Sequence, residues 1–238
     1  MRELDSIVIV GAGRLGTALT AALGAAGLDV RGPLGRGGTA DGASLVLLCV
    51  PDREIAAAAA AVGPGPLVGH CSGATGLAPL APHEAFSLHP LMTVPANAAP
   101  GVLAGAGCAV DGTTPRALEA AGRLADVLGM RATRIAEEDR VAYHAAASIA
   151  SNFLVTLEGA AERLAATAGV DRELLAPLVR AAVEDWAARG AAGALTGPIA
   201  RGDEETVARQ RAAVEERTPD LLELFDALAG ATRTLAAA

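Results

Sequence analysis

His144, Ser148 and Asn152 recur at intervals of four, which places three polar side chains on one face of a helix. At 3.6 residues per turn they fan through only about 80°. Their neighbours, Ala145 to Ala147, Ile149, Ala150, Phe153 and Leu154, are apolar. One reading is a hydrogen-bond chain between packed helices, because each such group left unpaired in a core costs on the order of 1–3 kcal/mol. The other is a row facing a substrate, with His144 exchanging a proton near its ordinary pKa and Ser148 and Asn152 orienting a polar group. His89, read as a loop residue just after the strand Phe86-Ser87-Leu88, is a second imidazole suited to positioning a substrate. Thr196 and Arg201 lie in a glycine- and proline-containing loop ending at Asp203, which makes a sound N-cap. Either could instead reach a substrate. His70 and Cys71 lack a spaced partner set, so no metal is expected.

Chemistry of this kind needs a partner molecule, and the amino end supplies a place for one. Ser6-Ile7-Val8-Ile9-Val10 runs into Gly11-Ala12-Gly13-Arg14-Leu15-Gly16 and then an Ala/Leu-rich segment. That is the order strand, glycine loop, helix N-terminus of a dinucleotide site. Gly11 permits the sharp turn, Gly13 lets backbone approach a pyrophosphate, and Gly16 lets helix and strand pack closely. The helix end points N–H groups and a positive dipole at the anion. The competing reading is a plain glycine turn in a flavodoxin-like domain. Gly27–Arg31 is read as the second strand; Arg31 at its end and Arg36 beyond it suit the extra phosphate of NADP, whereas Asp29 comes too early to hold the ribose of NAD. NADP is therefore expected and NAD remains possible; solvated loop charges are the plainer alternative.

Alternation of strand and helix continues through Leu45–Val50, Glu54–Val62, Leu67–His70, Phe86–Leu88, Gly107–Val110, Pro115–Leu128 and Arg131–Ile135. This predicts a mostly parallel sheet. The stretch between the second and third strands is too short and glycine-rich for a crossover helix. After Ile135 only helices are expected, over Glu137–Ala168, Asp171–Arg189, Asp203–Arg217 and Pro219–Leu235. The fold class is therefore α/β, a Rossmann-like domain over 1–135 followed by an all-α domain over 136–238.

Composition bounds the function. Net charge is −8, against a nucleic-acid surface. All 19 basic residues are arginine, so lysine chemistry is excluded. Three scattered cysteines read as free thiols, and no leader-like segment precedes Ile7, so a cytoplasmic protein is expected. The uncharged stretch from Ala85 to Val110 is broken by prolines and should not span a membrane.

The chain resembles a bacterial family of Rossmann-like proteins with a conserved C-terminal domain of unassigned function. That family is grouped with NADP oxidoreductases of the deazaflavin-dependent and pyrroline-5-carboxylate reductase kind. The resemblance is carried by GAGRLGTAL (11–19), LCVPDREI (48–55), HCSGA (70–74), SLHPLMT (87–93), YHAAASIASNFLVTL (143–157), LAPLVRAAVEDW (175–186) and ALTGPIARGDEETVARQ (194–210). It implies a helical domain like the C-terminal domain of 6-phosphogluconate dehydrogenase and a homodimer formed through it. It also implies a cofactor over Gly11 to Gly16 with Arg36, Val50, Pro51, Ser72 and Gly73 along its path, and a substrate pocket between His89 and the His144–Asn152 face. Similar dehydrogenases rely on a catalytic lysine; here His144 would take that role. Gln210 stands where the family usually has histidine. The function expected is hydride transfer between nicotinamide and a small carbonyl, imine or hydroxy acid. The rivals are a dinucleotide-binding sensor or scaffold without turnover and a helical interaction protein with a decayed nucleotide domain.

Overall fold

The structure, a computed structural model, describes residues 4–35 and 37–238. The chain divides into two compact units, residues 1–151 and 152–238.

In the first unit a seven-stranded sheet has the order β2-β1-β3-β4-β5-β6-β7. Its strands are β1 Ile7–Val10, β2 Val30–Leu34, β3 Leu45–Leu48, β4 Leu67–His70, β5 Ala85–Leu91, β6 Gly107–Gly112 and β7 Arg131–Arg134. All neighbours are parallel except β5 and β6. The short apolar runs are strands because both faces are covered, so continuous hydrophobicity replaces alternation. Ile7, Ile9, Leu45 and Leu47 pack on one face with helices α1 (Arg14–Ala25) and α3 (Pro115–Val127). Val8, Val46, Leu48 and Val68 face the other way, toward α2 (Ile55–Ala60). Alanines such as Ala117, Ala121 and Ala125 let α3 sit close on the sheet. Its start is fixed by Thr114, whose hydroxyl accepts from Ala117 N at 3.1 Å, and by Pro115 at the first helical position.

Two sequence expectations shift. The second strand begins at Val30, not Gly27, because Gly27 and Leu28 are spent closing the end of α1 through bonds to Gly24 and Leu23 carbonyls. His89 is not a loop residue. β5 runs on to Leu91 because its pairing with β6 outlasts its pairing with β4, which stops at Ser87. Between Leu34 and Leu45 no described residue is helical, as the short connection requires.

Beyond β7 the chain enters α4 (Arg140–Ser148), which stays with the first unit. A π-helical segment, Ile149–Phe153, follows, and α5 (Leu154–Ala166) then runs straight through Gly159. The second unit also holds α6 (Arg172–Ala194), kinked at Gly190 with φ 73°, α7 (Glu204–Arg217) and α8 (Leu222–Ala236). Asp203 caps α7 by accepting from Thr206 N at 3.0 Å. Among the described residues no helix is long and apolar enough to cross a membrane.

Candidate active site

A cleft of about 520 Å³ opens at the carboxyl ends of β1, β3, β4 and β5. Ligands gather there in open α/β sheets. The β1 turn contributes Gly13, Arg14 and Leu15 to its wall. Val50, Pro51 and Asp52 follow β3, Ser72 follows β4, and His89 comes from β5.

The three loop glycines have separate duties. Gly11 sits at φ 111°, and a Cβ there would strike the Cys49 carbonyl. At Gly16 a Cβ would strike the carbonyl of Gly11, so helix and turn touch only because the side chain is missing. Gly13 is different: a Cβ there would meet nothing within 4 Å. It is the N-cap of α1, no side chain caps that end, and the first bond inside the helix is Thr17 N to Gly13 O at 3.0 Å. Bare backbone donors thus border an open space, the arrangement an anionic phosphate needs. The residues present fit a dinucleotide pyrophosphate.

The next loop is held rigid from within. Ser72 donates to Asp52 Oδ2 at 2.7 Å and accepts from Thr75 N at 2.9 Å, while Thr75 Oγ1 donates to the same carboxylate at 3.0 Å. Below it lies His70, fully buried. Its Nδ1 accepts from Ser72 N at 3.2 Å, so the proton sits on Nε2 and is donated to Gly76 O at 2.9 Å. Burial pushes the His70 pKa down, and both nitrogens are taken by backbone; this histidine shapes a loop.

His89 is set differently. Its Nδ1 lies 2.8 Å from the Tyr143 hydroxyl, and its ring meets that of Tyr143 edge-on with centroids 5.5 Å apart. The His144 ring stands 6.2 Å away. Gly73 is the floor under both imidazoles: a Cβ there would come within 2.8 Å of His89 and 2.9 Å of His144. Burial first, then the neighbouring His144 and Arg140, push the His89 pKa down to about 4, so it is neutral at pH 7. Burial pushes Tyr143 up to about 12, with Arg140 opposing.

His89 and His144 are therefore brought together, as their candidacy required. The rest of the polar row goes otherwise. Ser148 is half-buried, and Asn152 is exposed and opens the second unit. Ile149 and Phe153 beside them are exposed too, so the stripe does not face a core and no burial penalty arises. Thr196 and Arg201, both exposed, lie between α6 and α7 in the second unit. Thr196 borders a shallow pocket of about 580 Å³ with Leu178 and Asp185. Ala12 is exposed without lining the cleft, and Gly11 and Gly16 shape it from behind. Arg31 lies inside β2 and donates to Asp41 O at 2.6 Å; Arg36 lies outside the described residues.

Sequence reasoning missed Asp52, Tyr143 and Arg140. Asp52 follows its strand directly, so the rule that strand ends face ligands would have found it. Arg140, Tyr143 and His144 form an i, i+3, i+4 set, one face of α4. That set shares His144 with the row, and Arg140 continues the same four-residue spacing one turn earlier.

A family model described as a domain of unknown function (DUF2520) matches residues 106–232, more than half of the chain. The chain belongs to this family. No curated protein matches it by sequence. Among solved structures it is similar to a proposed NADP oxidoreductase from Bacteroides fragilis, at 19% identity and TM-score 0.82, over 98% of this chain and 99% of that one. A Thermotoga maritima protein gives 23% identity and TM-score 0.79 over 97% and 98%. NADP-bound pyrroline carboxylate reductase from Plasmodium falciparum gives 12% and 0.63 over 98% and 99%. At such identities the likeness shows the fold: a Rossmann-like sheet followed by a helical domain.

Proposed function

We propose that the protein is an NADP-dependent oxidoreductase acting on a small carbonyl, imine or hydroxy acid. What carries the reading is one cleft in which the open face of Gly13 and the imidazole of His89 share a wall. The bound nicotinamide would supply the hydride. Arg14, Leu15, Val50, Pro51 and Ser72 would hold the dinucleotide, with Arg36, placed by sequence just past β2, meeting the extra phosphate of NADP. His89 and His144, over the floor made by Gly73, would handle the proton. Ser148, Asn152, Thr196 and Arg201 remain candidates for orienting the substrate. The proteins of like fold described as acting with NADP support the choice of cofactor. We further propose a homodimer formed through the helical unit.

Calorimetry with NADPH and NADH, followed by NADPH oxidation with pyruvate, glyoxylate and 1-pyrroline, tests this directly. NADPH should bind more tightly than NADH, and Arg36→Ala should narrow the gap. His89→Gln should lower kcat by about 10²–10⁴-fold, the usual worth of a positioned acid–base group. The connection before β3, where no described residue is helical, favours a second reading, a dinucleotide sensor without turnover. Binding without oxidation of any substrate would select it, and a chain that binds neither nucleotide would end both.

A further inference from the structure

Among the described residues Arg140 is the largest fully buried side chain, 2% exposed, and it has no carboxylate partner there. One terminal nitrogen donates to Thr75 O at 3.2 Å and the other to Ser87 Oγ, while Nε has no partner. A buried cation offset only by neutral acceptors is costly. Arg140 begins α4, and Tyr143 follows one turn later on the same face. The Tyr143 hydroxyl in turn reaches His89 Nδ1, on the side of the ring away from Nε2, and Nε2 has no partner among the described residues.

We propose that His89, Tyr143 and Arg140 form a proton relay, in which Tyr143 recharges His89 as His89 protonates the substrate. This rests on the oxidoreductase reading above. The His89 Nε2–H bond breaks as the substrate oxygen or imine nitrogen takes that proton. The Tyr143 O–H bond breaks as Nδ1 takes the second proton. His89 ends neutral in its other tautomer, and Tyr143 ends as a phenolate whose charge Arg140 balances; once product leaves, Nδ1 gives its proton back to the phenolate as water from the cleft protonates Nε2, which restores the starting tautomer. The relay explains how a histidine too desolvated to become an imidazolium still acts as an acid. It also gives the lone guanidinium an anion to meet. His89 and Tyr143 are then catalytic, and Arg140 is a positioning residue. The other titratable groups around the pair are His144 on α4, Asp52 after β3, His70 on β4 and, near Tyr143, Cys108 on β6.

Nitrogen-15 NMR of the imidazoles in the free protein tests the relay without cofactor or substrate. His89 should be neutral at pH 6 with its proton on Nε2, and Tyr143→Phe should leave a mixture of tautomers. A proton on Nδ1 in the native chain would overturn the relay, since Tyr143 would then be the acceptor. In single turnovers with NADPH and pyruvate or 1-pyrroline, whichever reacts, the proton inventory in H2O/D2O mixtures should be curved, two protons moving together. Tyr143→Phe should make it linear and slow the step about 10²-fold, with NADPH affinity unchanged. Arg140→Gln should slow it comparably without raising KM, and Arg140→Lys, retaining the charge, should recover part of the loss. A Tyr143→Phe rate equal to the native one overturns the relay and leaves the oxidoreductase reading standing. Failure of the native chain to bind NADPH removes that reading, and the NMR tautomer alone then decides the hydrogen bond.

Discussion

A glycine is usually defended by the backbone angle it permits, but the three loop glycines here separate by what a methyl group would touch. Gly16→Ala drives a Cβ into the Gly11 carbonyl, and backbone on both sides has no way to yield. Overpacking of this kind typically costs about 1–3 kcal/mol, so the thermal midpoint should drop by several degrees. Gly13→Ala meets nothing, and its φ of −77° suits alanine, so the midpoint should hold. NADPH affinity should fall all the same, because the methyl group projects where the pyrophosphate must approach. Differential scanning calorimetry and NADPH titration of the two variants separate these effects. A Gly13→Ala chain that binds as well as the native one would remove the phosphate from this turn. The packing duties of Gly11 and Gly16 were legible in the sequence because the spacing of glycines after a strand implies them. The burial of Arg140 was not, since one arginine among 19 gives no sign that it alone, among the described residues, is buried.

Strands and helices were legible where burial on two faces forces an unbroken apolar run, as in β1, β3 and β4. They were less so where pairing decides the limits. Nothing in Ser87-Leu88-His89-Pro90-Leu91 says that β6 follows β5 beyond the end of β4, yet that extension carries His89 up to the cleft. Likewise, four-residue spacing marks a polar face on the helix but does not say which way the face looks, and the structure turns Arg140 and Tyr143 inward while Asn152 faces solvent. His70 and His89 come from the adjoining strands β4 and β5, both feel the Arg140 charge, and burial above all holds both below the ordinary histidine pKa of 6.5, His89 to about 4. Between those pH values the unfolded chain takes up protons that the native one refuses. Stability contributed by these two residues is therefore complete above pH 6.5 and is lost as pH falls toward 4. The urea midpoint should decline steadily from pH 7 to 5, and His89→Gln should flatten the decline. A midpoint constant across that interval would contradict the neutral, desolvated state assigned to both rings.

At the scale of the whole molecule the two units differ in how they are stabilised. The first encloses long hydrophobic clusters on both faces of its sheet. In the second, burial is confined to Val207, Val214, Thr218 and Ala229, and neither α5 nor α6 has a buried residue. Val155, Leu174, Leu178 and Trp186 stand between 55% and 70% exposed. Exposed apolar side chains of this kind are what an interaction face needs, and they suit the homodimer proposed above. Trp186 is the only tryptophan, so its fluorescence reports on this face alone. Sedimentation should give twice the chain mass, and the emission should be blue-shifted relative to free tryptophan. Leu178→Glu, which brings a charge to the middle of α6, should halve the mass, shift the Trp186 emission to the red and lower the thermal midpoint, because the helices then lose the surface that covers them. A native chain that sediments as a monomer, with Trp186 emission already at the solvent-exposed position, would mean that this face is wet and that the helical unit does not join two copies.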